Sequence, residues 1–198
     1  MNHSYRRRVW HAGLIVCAAL LQAACSSLQP TPPASRDNLR EFIMEARFAL
    51  RLSRPEEPPQ SAAGRLTWEH RQQGERILIA SPLGYGLAEI ETTPELAHLR
   101  TADGKTRSSA DPDELMEAAT GERLPVSRLP GWLLGQPGEN GHLQRDPQQR
   151  PQLLREAGWQ VEYAYDDEAP ASLPARVTLR RADEIEMRLR IEEWRTAP

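Results

Sequence analysis

From Phe42 onward the chain alternates: Phe42, Met44, Ala46, Phe48, Leu50 and Leu52 share one face of an extended segment, while Glu45, Arg47 and Arg51 share the other. A period of two sustained over this length predicts a long strand, buried on one side and wet on the other. Residues 54–61, with Pro55, Pro58 and Pro59, predict a loop. Gly64, Leu66 and Trp68 then alternate with Arg65, Thr67 and Glu69, and after a turn at Gln72 to Gly74 the run Arg76-Ile77-Leu78-Ile79-Ala80 predicts an antiparallel neighbour. Residues 85–91 and 95–101 continue the meander, with hairpin-length breaks at Thr93-Pro94 and Asp103-Gly104.

The periodicity changes at Asp111. Asp111 as N-cap, Pro112 at the first helical position and Glu114 at N3 precede Leu115, Met116, Ala118 and Ala119, and Gly121 stops the pattern, which predicts one short helix. Leu129, Trp132, Leu133 and Leu134 predict a second helix or helical turn, weakened by Pro130 and Gly131. Residues 136–151 are polar and predict a loop. Three alternating stripes follow: Trp159, Val161, Tyr163 and Tyr165, then Ala175, Val177 and Leu179, then Ile185, Met187, Leu189 and Ile191. Trp194 falls out of phase with the last stripe, so it requires a bulge or a place at the rim. Eight or more antiparallel strands with a helical insertion predict an open or closed barrel, with a two-sheet sandwich as the second arrangement.

The N-terminus has a different character. Arg6-Arg7-Arg8 precede a mostly apolar run from Ala12 to Leu21, too short for the roughly 20 residues of a membrane-crossing helix. This is the pattern of an exported leader, residues 1–24. Small Ala23 and Ala24 before Cys25 resemble a lipobox, although Gln22 stands where most carry leucine and Leu21 is one place early. Cys25 would then carry the lipid, and several acyl chains at about 0.8 kcal/mol per buried methylene give stable anchoring. The competing reading is an ordinary secretory leader with Cys25 left as a thiol. Residues 25–36, with Pro30, Pro32 and Pro33, predict an extended tether, and the folded domain is expected over residues 37–198.

Charge and candidate chemistry narrow the function. Removing residues 1–24 takes three arginines and no acid, leaving 22 basic residues against 28 acidic ones, which argues against a nucleic-acid partner. Cys17 leaves with the leader and Cys25 is consumed by lipid, so no disulfide, thiol catalysis or cysteine metal site is expected. The five histidines lack ligand spacing, Gly84-Tyr85-Gly86 lacks the third glycine of a dinucleotide loop, and Ser127 sits in no nucleophile elbow. No enzyme, metal or cofactor is expected. Two features remain. Trp68, Trp132, Trp159, Tyr163 and Tyr165, with Trp194 nearby, point to one interior, which either fills itself or leaves a cavity for an apolar ligand. Ser81-Pro82-Leu83-Gly84 lies between two strand patterns, so Leu83 is expected at a loop tip, as an ordinary exposed leucine or as one that dips into a membrane interface.

The order of these features is specific. Cys25-Ser26, the Trp68 strand, Ser81-Pro82-Leu83-Gly84, Leu115-Met116, Thr120-Gly121, Leu124-Pro125-Val126, Trp132 to Gly138, Gly158-Trp159-Gln160-Val161 and a last strand ending at Trp194 together resemble the LolB family of outer-membrane lipoprotein receptors. The resemblance covers Asp37 to the C-terminus. It implies an incomplete antiparallel β-barrel enclosing a hydrophobic cavity, with a short helical lid. It further implies a receptor fixed to the periplasmic face of the outer membrane by lipid on Cys25, and Ser26 agrees with that address. Its partners would be a LolA-type periplasmic carrier, acylated client lipoproteins and outer-membrane phospholipid, and it would act as a monomer. By position in the motif, Leu83 matches a protruding leucine that acts in membrane delivery, while Trp68, Trp132, Trp159 and Trp194 match aromatics around the cavity. Tyr163 joins them from the stripe it shares with Trp159. The alternative is a structural or interaction lipoprotein of the envelope with a filled barrel and no ligand.

Overall fold

The computed structural model describes Ser35, Arg36 and residues 39–197. The leader, Cys25 and the tether to residue 34 lie outside the described residues. Eleven antiparallel strands build one sheet: β1 (Phe42–Leu52), β2 (Gln60–Arg71), β3 (Gly74–Ala80), β4 (Gly86–Thr92), β5 (Ala97–Thr101), β6 (Thr106–Ser109), β7 (His142–Arg145), β8 (Pro151–Glu156), β9 (Trp159–Ala164), β10 (Arg176–Arg181) and β11 (Ile185–Thr196). Their spatial order is β6-β5-β4-β3-β2-β1-β11-β10-β9-β8-β7. Strands consecutive in sequence pair with one another except β6 and β7, which form the two edges, and at the centre the first strand also pairs with the last. Only hairpins are needed to reach this order, apart from one long connection between β6 and β7.

That connection carries both helices, α1 (Pro112–Thr120) and α2 (Leu129–Leu133). Asp111 caps α1, its Oδ1 accepting the N–H of Asp113 at 2.9 Å, and Gly121 ends it at a positive φ of 78°. Leu115, Met116, Leu124, Val126, Leu129, Trp132, Leu133 and Leu134 of this segment are buried. It therefore covers the inner face of the curled sheet and spans the gap between the two edge strands. The result is an incomplete antiparallel barrel with a short helical lid. Residues 33–198 form one unit, and the buried hydrophobic core of the described residues lies within it.

Alternation accounts for the core. Phe42, Met44 and Ala46 of β1 pack beside Leu66 and Trp68 of β2 and Leu189 and Ile191 of β11, all buried. The out-of-phase Trp194 is resolved by a bulge: Glu45 pairs with Glu193 and Ala46 with Ile191, so Glu192 has no opposite residue and Trp194 returns to the inner face opposite Met44. One expectation is corrected. Residues 136–151 are not all loop, because β7 pairs with β8 in this stretch. As an edge strand with the pattern His142-Leu143-Gln144-Arg145, β7 buries no stripe and carries no period-two signal.

Candidate functional site

An apolar cavity of about 290 Å³ lies between the inner face of the first half of the sheet and the helical cover. Phe48, Leu66, Trp68 and Ile79 come from the strands, while Met116 and Leu124 come from the cover. Period two places the strand residues on one face, and the amphipathic turn of α1 brings Met116 down onto them. Small side chains, Ala62, Ala63 and Ala88, border the cavity where larger ones would close it. The indole of Trp68 is oriented by its polar edge: Nε1–H donates to Glu75 Oε2 at 2.7 Å, and the other oxygen of Glu75 lies 2.7 Å from His70 Nδ1. With its one donor satisfied, the ring offers the cavity a dry face.

The cavity reaches the surface at Leu87, close in sequence to an exposed loop. Between β3 and β4 the pairing shifts, Ile79 facing Ala88 and Ala80 facing Gly86, which leaves Leu87 as the extra residue of a bulge. Leu87 lines the cavity and is still 46% exposed. Two residues earlier Tyr85 is 71% exposed, and Leu83 is 84% exposed. The turn that lifts Leu83 is tightly specified: Gly84 N–H donates to Ser81 O at 2.9 Å, Ser81 N–H to Tyr85 O at 2.8 Å, and Tyr85 N–H to the Ser81 hydroxyl at 3.1 Å. Pro82 presets the first central position, and Gly84 adopts a φ of 90° that disfavours any side chain. At the root of the loop, Gly64 is equally constrained, since a Cβ there would lie 2.2 Å from Ala80 O.

The other aromatic candidates occupy different ground. Trp132 of α2 packs against Trp159 of β9 with ring centroids 6.1 Å apart. The Tyr163 hydroxyl donates to Trp132 O at 2.5 Å, and burial pushes its pKa up. Trp194 meets Phe42 edge-on at 5.2 Å, and its Nε1–H donates to Pro174 O at 3.0 Å. Of the five aromatic candidates, Trp68 lines the apolar cavity, whereas Trp132, Trp159, Tyr163 and Trp194 are placed elsewhere in the core.

The pattern described as "Outer membrane lipoprotein LolB" matches residues 40–194. The chain belongs to the LolB family. A LolB relative, the outer-membrane lipoprotein of Dechloromonas aromatica, is 56% identical over 185 residues, covering 93% of this chain and 97% of its own. The LolB protein of Azoarcus sp. is 35% identical over 185 residues, covering 92% and 94%. A solved LolA superfamily protein, NE2245 from Nitrosomonas europaea, aligns over 79% of this chain and 86% of its own at 11% identity and a TM-score of 0.46, too distant a likeness to add to the fold described above.

Within this LolB-family chain, sequence reasoning did not place Ala62, Ala63 and Ala88 at a cavity, and it read Met116 and Leu124 only as helix or family-motif residues, not as cavity residues. The signal available for them was the succession Ala62-Ala63-Gly64 entering a strand whose later inward positions are Leu66 and Trp68. Small residues at Ala62 and Gly64, in phase with Leu66 and Trp68, leave room on the inward face.

Proposed function

We propose that the chain is an outer-membrane receptor that accepts lipoproteins from a LolA-type carrier, holds their acyl chains in the cavity beside Trp68 and passes them to the bilayer along the Leu87, Tyr85 and Leu83 side. The observation that carries this reading is that Leu87 lines the interior apolar cavity, is itself exposed, and is followed back along the chain by the exposed Tyr85 and Leu83. Membership of the LolB family supports the same role and address. Lipid on Cys25 holds the chain at the periplasmic face, residues 25–36 act as the tether, and the barrel works as a monomer.

Transfer needs no covalent chemistry. Each acyl methylene moved from a partly wet site to a dry one gains about 0.8 kcal/mol, so a chain passes from carrier to cavity and from cavity to bilayer wherever burial becomes more complete. A volume near the lower limit of small-ligand pockets, about 300 Å³, takes only part of a triacylated terminus. Loading therefore moves the cover: Met116 and Leu124 shift outward while the strand face bearing Phe48 and Trp68 stays fixed. Trp132, Trp159 and Tyr163 hold α2 on the sheet, and Trp194 closes the far end with Phe42.

The test is a titration of residues 26–198 with a triacylated peptide, followed by tryptophan fluorescence. Saturable one-to-one binding is expected. A folded protein that binds nothing overturns the cavity as an acyl site and returns the filled-barrel lipoprotein as the reading.

A further inference from the structure

The outer face of the sheet carries a row of four arginines. In register, Arg65 of β2 stands opposite Arg47 of β1, Arg47 opposite Arg190 of β11, and Arg190 opposite Arg176 of β10. Their neighbours Leu66, Ala46, Leu189 and Val177 are buried, so alternation sends every one of these arginines outward. Like charges directly opposite destabilise a sheet. Two carboxylates moderate the row: Glu192, displaced by its bulge, lies 2.6 Å from Arg47 and 4.0 Å from Arg65, and Asp166 lies 2.9 Å from Arg190 and 3.2 Å from Arg176. Four guanidinium groups thus share two carboxylates, and each remains about half exposed or more. Arg51 and Arg188 lie on the same face beyond the row, with Glu186 opposite Arg51 and 2.6 Å from Arg188.

The position of this face gives it a purpose. Arg65 also pairs with Ala80, the last residue of β3. The row therefore ends at the root of the Leu83 loop, and Arg51 and Arg188 lie on the loop's side of it. We propose that this arginine face binds anionic phospholipid headgroups and sets the chain on the bilayer with Leu83 directed into it. The inference rests on the membrane role given to Leu83 above. Four strands spaced about 4.8 Å apart spread the guanidinium groups over roughly 15 Å, a span suited to several headgroups and not to one enclosed ligand. Arginine's planar fork matches phosphate oxygens bidentately. Basic residues beside an exposed apolar element are the combination that binds a membrane interface, and an acidic protein partner would have no use for the adjoining leucine. The chain's net negative charge after removal of residues 1–24 makes the local surplus stand out further.

Residues 26–198, which contain the whole described core, serve for the test, so that no lipid anchor masks the binding. Flotation with phosphatidylethanolamine vesicles is compared with vesicles holding phosphatidylglycerol as well, at low and high salt. Binding is expected to be stronger on the anionic vesicles and to lose that preference at high salt. Arg47→Gln with Arg190→Gln leaves Glu192 beside Arg65 and Asp166 beside Arg176, so the fold is retained, as circular dichroism checks. Each lost arginine should weaken anionic binding about fivefold, roughly 25-fold for the pair. A parent without anionic preference, or a double variant that keeps it, overturns the proposal. A variant that binds vesicles normally but receives lipoprotein poorly from the carrier also overturns it, because the face then serves a protein. Leu83→Gln keeps the two readings apart: parental insertion rates dismiss the loop, while the variant, which adds no charge, still reports through its preference for anionic vesicles on the arginines alone.

Discussion

The indole N–H of Trp132 donates to Glu156 across 3.0 Å and so ties α2 to the end of β8. The same carboxylate accepts the N–H of Gly138 at 2.7 Å and pairs with Arg128. Glu156 is buried, so all three donors depend on one side chain. Glu156→Ala leaves the buried Trp132 indole N–H without a partner, while the half-exposed Arg128 turns to water, and should cost about 1–3 kcal/mol, as read from urea unfolding. Glu156→Gln keeps an acceptor and should cost less. Parental stability in Glu156→Ala would show that the cover is held by its apolar contacts alone.

The same group shapes the response to acid. Burial pushes the Glu156 carboxyl up, but the Gly138 N–H, the Trp132 indole and the Arg128 guanidinium outweigh burial and hold it below the usual range. A carboxyl depressed in the folded state contributes its stability in full above its unfolded pKa of about 4.3. That contribution falls away as pH drops through the folded value. Glu89, held down by Arg100 and Arg76, acts in the same direction. Melting temperature should therefore fall as pH drops below about 4.3, and Glu156→Gln should flatten the fall. A variant whose melting profile parallels the parent's would remove Glu156 from the acid response.

Much of this architecture was legible because one-sided burial writes a period of two. The stripe Phe42 to Leu52 became β1, the Asp111-Pro112 start became α1, and the phase error at Trp194 became the Glu192 bulge. The edge strands β6 and β7 were not legible, since Thr106 to Ser109 and His142 to Arg145 bury almost nothing. The cavity was legible only in part. Alternation says that Trp68, Trp159 and Tyr163 face inward, yet it carries no information on which stretch of an eleven-stranded sheet faces the void and which faces packed side chains. That distinction lies in the cover, in Met116 and Leu124, and in the alanines that leave space.

Tryptophan substitution separates these environments. Trp68 lines the cavity, while Trp194 is packed against Phe42 away from it. Trp68→Phe should abolish most of the fluorescence change produced by a triacylated peptide, at some cost in stability because Glu75 loses its indole donor. Trp194→Phe should leave the fluorescence change intact. The reverse result would move the acyl site to the other half of the sheet.

The loop leucine gives the sharpest division between holding a lipoprotein and delivering it. Leu83 projects from a turn fixed by its own hydrogen bonds, so its substitution changes a side chain in solvent and no core contact. Full burial of a leucine is worth about 1.5–3 kcal/mol, which corresponds to a factor of roughly 10 to 100 in a rate that depends on it. A carboxylate at this tip removes that gain and adds a charge that the bilayer interior resists. Leu83→Glu should therefore accept lipoprotein from the carrier as the parent does and insert it into vesicles at least about tenfold more slowly. If acceptance falls as well, Leu83 belongs to the carrier interface. If insertion keeps its parental rate, delivery does not run through this loop, and the exposed apolar path from Leu87 to Leu83 has no part in moving acyl chains to the membrane.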